Sequence, residues 1–148
     1  MKYLSESLQL NTTITYLNLH NNNLDDEGAI YIQHLLERNT TLHHLNVGYN
    51  IFGVKGMNCI FEGLKVNSTL TRLDVDVNGK ECHFECISKS LQYNSTLQIL
   101  NLSSTIIVGY SYVADLLQFN TTLTHLNISG RPIPSEGLHC ISEALKIN

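Results

Sequence analysis

The hydrophobic positions of this chain fall into one cycle written five times. From Ile14 the order is an apolar residue, two others, Leu, one polar residue, Leu, two others, then Asn22. The cycle restarts at Leu42 (LHHLNV), Leu70 (LTRLDV), Leu97 (LQILNL) and Leu123 (LTHLNI), at intervals of 28, 28, 27 and 26 residues. Within each copy the first half alternates, as a short strand does when one side is buried. The second half shifts to helical spacing, as in Ala29, Ile32 and Leu36, where three apolar residues share one face. A strand and a helix per unit, at a fixed period in this range, predict a stack of repeats, each burying its apolar face against its neighbours.

Each copy supplies a full core layer. Copy one offers Ile14, Leu17, Leu19 and Leu24, then a helix over about 27–38, with Asp25 or Asp26 as its N-cap. Asn22 is expected to turn inward and satisfy backbone groups in the bend after the strand. Copy two has Leu42, Leu45, Val47, Asn50 and Phe52, then Met57, Ile60 and Leu64. Copy three has Leu70, Leu73, Val75 and Asn78, loses one residue in an irregular loop at 79–83, and continues with Phe84, Ile87 and Leu91. Copy four has Leu97, Leu100 and Leu102, then Tyr110, Val113 and Leu117; copy five has Leu126, Ile128 and Ile133, then Leu138, Ile141 and Leu145. Thr105 and Arg131 take the asparagine position in these last two copies, and His83 replaces the glycine seen at Gly28 and Gly56.

Residues 1–13 read as the helical half of a further repeat, with Met1, Leu4 and Leu8 where Ala29, Ile32 and Leu36 stand in copy one. The expected organisation is one array over 1–148: a half repeat at 1–13 covering the N-terminal end, then five repeats over 14–148, the last without a polar cap. Such arrays need capped ends. Copy five is therefore expected to be covered by more chain or by a second copy, most simply as a two-fold homodimer through the C-terminal repeat.

Composition narrows the function. Apolar residues make up 43% of the 148, but aromatics only 7% with no Trp, so aliphatic side chains are expected to fill the core. Nine basic residues against thirteen acidic give a net charge of −4 and no basic stripe for nucleic acid. No apolar run suggests a signal peptide or a membrane span. Cys59, Cys86 and Cys140 hold one register position, and residues so related on adjacent repeat helices lie about 8–10 Å apart, beyond the ~7 Å limit for a disulfide. Reduced packing cysteines in a cytoplasmic protein are expected. Cys82 and Cys86 could share a helix face, yet no second pair follows to complete four zinc ligands, so no metal or cofactor is expected. The sequons at Asn11, Asn39, Asn67, Asn94 and Asn120 all follow a helix at one register position, which points to turn chemistry rather than glycosylation. No phosphate loop and no nucleophile elbow is present, so no catalytic residue is assigned.

The roughly 28-residue unit, with a full helix and an Asn-x-Thr/Ser spacer before the next Leu, resembles leucine-rich repeats of the ribonuclease-inhibitor class. That class includes ribonuclease inhibitor, the arrays of NOD-like receptors, the Ran GTPase-activating protein and the tropomodulin–leiomodin caps. The resemblance covers the whole chain and implies an α/β fold. In it a right-handed solenoid forms a horseshoe segment, with a concave parallel sheet and convex helices. It also implies ligands that are mostly proteins.

The outward strand positions then become the candidate surface. They form three ladders: Tyr16, His44, Arg72, Ile99 and His125; Asn18, Asn46, Asp74, Asn101 and Asn127; and His20, Gly48, Asp76, Ser103 and Ser129. The middle ladder reads as solvation of the sheet, and Asp74 and Asp76 as neutralising Arg72. The partner-binding set is Tyr16, His20, His44, Tyr49, Arg72 and Asp76, since Tyr and Arg are enriched where interface energy concentrates. The expected function is a non-enzymatic scaffold holding a protein or peptide on its concave face. The alternatives are a ligand-sensing or autoinhibitory segment of a NOD-like-receptor-type protein, or an enzyme regulator such as a GTPase activator or inhibitor.

Overall fold

The computed structural model describes residues 1–76 and 81–148. Five three-residue strands form one parallel sheet: β1 (Tyr16–Asn18), β2 (His44–Asn46), β3 (Arg72–Asp74), β5 (Ile99–Asn101) and β7 (His125–Asn127). They pair in unbroken register, Tyr16 to His44 to Arg72 to Ile99 to His125. Helices α2 (Asp26–Arg38), α3 (Val54–Val66), α4 (Phe84–Leu91) and α5 (Tyr110–Phe119) return the chain between strands, α6 (Ser135–Leu145) follows β7, and α1 (Lys2–Leu10) precedes β1. The fold is the leucine-rich repeat solenoid, with the sheet on the concave face and the helices behind it.

The joint between repeats is built on the sequon asparagines. Asn67 donates from Nδ2 to the carbonyls of Leu36 (2.8 Å) and Asn39 (3.3 Å) in the preceding repeat. Its Oδ1 accepts from the amides of Thr69 (3.0 Å) and Leu70 (2.7 Å) in its own. Asn39, Asn94 and Asn120 make the same set, and all four are buried. Each side chain thus satisfies carbonyls at the end of one helix and amides at the start of the next strand, groups that would otherwise be buried without partners. Their nitrogens are taken, which fits the turn reading of these sequons. Asn11, at the open edge, keeps only the accepting half, to Thr13 and Ile14.

A second joint follows the strand. Asn50 donates to the carbonyls of Leu19 (2.9 Å) and Val47 (2.8 Å) and accepts from the amides of Asn22 and Leu24, both at 2.9 Å. Asn22 itself does not turn inward as expected. It is exposed, and its side-chain amide donates to the carbonyl of His20 at 3.1 Å. Asn78, expected to repeat the device, lies outside the described residues. Thr105 at this position is 2% exposed and Arg131 is exposed.

Two expectations about the core need correction. Phe52, Phe61 and Phe84 are among the largest fully buried side chains, so the centre is not aliphatic alone. Phe61 and Leu35 sit in the layer between helices, where Gly63 lets α3 approach α2. A Cβ there would stand 2.9 Å from Gln33 Cα. The N-terminal helix buries Ser5 and Leu8, while Leu4 is 39% exposed. Ser5 Oγ donates to the carbonyl of Tyr31 at 2.7 Å. At the other end Leu138 and Leu145 are 54% and 55% exposed.

The loop at 79–83 is not irregular throughout. Residues Glu81–His83 form strand β4, which pairs in parallel with β6 (Ile106–Val108), Cys82 opposite Ile107. The two shortened loops therefore make a small second sheet. Cys82 lies in that strand and not on the helix with Cys86, so the shared helix face imagined for a metal pair does not form. Burial pushes the Cys82 thiol up to about 12 and the Cys86 thiol to about 11. None of the four cysteines is in a disulfide.

If the asparagine joints hold the stack, Asn67→Ala orphans buried amides and carbonyls at roughly 1–3 kcal/mol for each unsatisfied group. It should cost at least about 2 kcal/mol in a denaturant titration, against well under ~1 kcal/mol for Asn11→Ala at the open edge. Equal losses at the two sites would show that the inter-repeat bonds contribute little.

Candidate protein-binding face

The register brings the outward residues of β1, β2 and β3 side by side, at the ~4.8 Å spacing of neighbouring strands. Tyr16 stacks on His44 with ring centroids 4.4 Å apart and planes 21° from parallel. His44 Nε2 lies 2.6 Å from Asp74 Oδ2. Arg72 meets the same carboxylate with two bonds, Nε to Oδ2 at 2.9 Å and Nη2 to Oδ1 at 3.1 Å. Four side chains from three strands so form one connected group. Tyr16 is 51% exposed, and the side chains of His44 and Arg72 are 27% and 44% exposed. Asp74 beneath them is buried at 3%.

Asp74 neutralises Arg72 as the sequence reading expected, but that reading left it out of the contact set. It was placed with the solvating ladder, and its neighbours do behave that way. Asn18, Asn46, Asn101 and Asn127 each accept the amide two residues on, at 3.0 Å, closing the bend after the strand. Asp74 is the one acid in that ladder, which was the available signal. Desolvation opposes its ionisation, but hydrogen bonds from Arg72, His44 and Asn101 outweigh it and hold the carboxyl below the ordinary range. Because an ionised carboxylate only accepts, the His44 contact requires Nε2–H as donor.

Asp76 was expected among the contact residues and in the neutralisation of Arg72. It is buried at 4%, and Arg72 is neutralised by Asp74 instead. The Asp76 carboxylate accepts the Tyr49 amide at 3.2 Å. Its Oδ2 would stand 2.4 Å from a Cβ at Gly48, so only glycine leaves it room. Burial pushes this carboxyl up, and the Tyr49 amide and the nearby His20 only partly oppose the effect. Tyr49 is 41% exposed, with its ring 5.0 Å from that of His20. Its backbone is left-handed at φ 54, a conformation costly for a bulky side chain. Asn21, Ser104 and Gly130, at the same point of other copies, share it. The six expected residues therefore split into a Tyr16–His44–Arg72 group on Asp74 and a His20–Tyr49 pair over Asp76.

Elsewhere, a convex groove of about 510 Å³ between α3 and α4 is lined by Val54, Asn58, Glu62, Glu85, Cys86 and Lys89. Among the described residues no cluster of His, Cys, Asp and Glu is placed to hold a metal ion, and no helix is long and apolar enough to cross a membrane.

Comparison with known proteins agrees with this architecture. A family model described as Leucine Rich repeat matches residues 10–32, 38–61 and 119–142. The stretches it leaves out contain the two copies whose loops are shortened. No curated protein matches the chain. Among solved structures, actin-binding site 2 of leiomodin-1 superposes with a TM-score of 0.77 at 22% identity, covering 96% of this chain and 85% of that one. The tropomodulin C-terminal domain of Caenorhabditis elegans gives 0.69 at 16% identity, covering 96% and 91%. At such identities these likenesses establish the fold.

The two buried acids should behave oppositely. Asp74, held low, adds stability that is present above the unfolded carboxylate pKa of about 3.9 and lost as pH falls through its lower folded value. Asp74→Asn should therefore destabilise at pH 7 by about 1–3 kcal/mol. Asp76, pushed up, loses stability as pH rises from about 4 through its folded value. Asp76→Asn keeps an acceptor for the Tyr49 amide and should raise the melting temperature at pH 7 but not at pH 3. Thermal melts of both variants at the two pH values check this; a drop for Asp76→Asn at pH 7 would contradict it.

Proposed function

The chain is a leucine-rich repeat protein of the ribonuclease-inhibitor-like class, and on that premise we propose that it is a non-enzymatic scaffold gripping a protein or peptide on its concave face. The observation that supports this reading most is the Tyr16–His44–Arg72 group. A tyrosine and an arginine, the residue types that dominate interface energies, stand half-exposed on a rigid sheet. A buried carboxylate locks the arginine with two bonds. A side chain already fixed loses little entropy on binding, which is how preorganised surfaces gain affinity.

The leiomodin-1 domain that shares the fold is an actin-binding site, which makes actin the first partner to test. A pull-down with immobilised actin, followed by one from whole-cell extract read by mass spectrometry, should compare the wild type with the Tyr16→Ala/Arg72→Ala double variant. We expect the captured partner to be lost from the variant at temperatures where circular dichroism shows it folded, with a lowered melting temperature, because removing Arg72 leaves the buried Asp74 without its two-bond partner. Capture that survives the double change, but disappears on altering Glu62 and Lys89 on the convex side, would move the interface to the helices.

A further inference from the structure

The concave face has a second part that the Tyr16 group does not use, where β1, β2 and β3 end. Here the carboxylate of Asp76 accepts the Tyr49 amide at 3.2 Å. No ion pair reaches it among the described residues, since Arg72 is bound to Asp74. The carboxylate leans into the column of β2, where Gly48 has no side chain to displace it. Beside it stand two rings, His20 and Tyr49, with centroids 5.0 Å apart. On the other side the same ladder continues with the small residues Ser103 and Ser129, so the aromatic pair forms a wall along one edge of a low floor.

Two features say that this arrangement is maintained for a reason. Tyr49 occupies a left-handed backbone position, φ 54, that Asn, Ser or Gly fills in other copies at less cost. A strained residue of this kind points to a function for its side chain. The desolvated carboxylate of Asp76 is the other, because a buried charge costs stability unless an opposite charge meets it. What would relieve it is a cation arriving from outside, and an aromatic wall beside a carboxylate is a surface that attracts one.

We propose that the His20–Tyr49–Asp76 corner receives a lysine or arginine side chain of the bound protein. This rests on the concave-face reading above and adds the chemistry of the partner: a basic segment, its charged end against Asp76 and its stem along the Tyr49 ring. The Tyr16–His44–Arg72 group then contacts the flanking part of the same segment. The net charge of −4 assists the approach of a basic partner.

The test uses the full chain titrated with pentalysine and pentaarginine at low salt, with pentaglutamate as control, by calorimetry and by tyrosine fluorescence. The basic peptides should bind saturably. Asp76→Asn and Tyr49→Gly should each weaken them by about tenfold or more, and pentaglutamate should not bind. Glycine is chosen because it accepts the φ 54 backbone and removes only the ring. Absence of binding by the wild type overturns the assignment. So does binding that Asp76→Asn leaves unchanged, which would reflect net charge alone. If the protein partner is lost with Tyr16→Ala/Arg72→Ala but kept with Asp76→Asn, the concave face stands and the basic-side-chain assignment fails. If it is kept with the Tyr16/Arg72 variant, the concave reading itself fails.

Discussion

One hydrogen-bonding residue governs this structure: the asparagine that ends each helix. A chain that turns from helix to strand every 28 residues or so leaves helix carbonyls and strand amides facing the interior, where an unpaired polar group costs about 1–3 kcal/mol. The Asn side chain answers both needs, with Nδ2 toward the previous repeat and Oδ1 toward its own. It also fixes how far one repeat lies from the next. Apolar layers alone could slide; a bond from Asn67 to the Leu36 carbonyl cannot form in another register. The concave ladders follow from that register, since Tyr16, His44 and Arg72 meet only when β1, β2 and β3 align residue for residue.

The same constraint explains where variation is allowed. Lost residues in copies three and four fall between strand and helix, outside the asparagine joint, and the shortened segments pair as β4 and β6. On the concave side a single change of Asn to Asp at position 74 turns a backbone-closing ladder into the base of a charged cluster. Asp74 takes side-chain hydrogen bonds from Arg72, His44 and Asn101, on three strands, where its asparagine counterparts accept a backbone amide. Asp76, two residues on, has no ion pair among the described residues, and burial pushes its carboxyl up.

The periodic features were legible in the residues: five strand starts, the helix faces of Ile32, Ile60, Ile87 and Val113, and the aligned outward ladders. Each depends on spacing, which a sequence displays directly. What spacing could not show was depth. Asp74 and Asp76 alternate with core residues and so read as outward, but their short side chains sink below the neighbouring Arg72 and Tyr49. Asn22 and Leu4 occupy core register positions yet stay exposed. The β4–β6 pairing escaped notice because two loops 25 residues apart share no pattern; only the stacking of copies three and four brings them together. Register placed Phe52 and Phe84 in the core, but Phe61 lies off the helix positions of Met57, Ile60 and Leu64 and its burial was not foreseen.

The central claim is that the asparagine joints hold the binding face in place, and hydrogen exchange at two protons tests it most directly. By NMR, the Leu70 amide, bonded to Asn67 Oδ1, and the Arg72 Nε proton, bonded to Asp74, should both exchange slowly in the wild type. In Asn67→Ala, under conditions where circular dichroism shows the variant folded, both should lose protection together. An Arg72 proton that stays protected while the Leu70 amide opens would contradict the account, because the concave cluster would then be holding itself together without the joint beneath it.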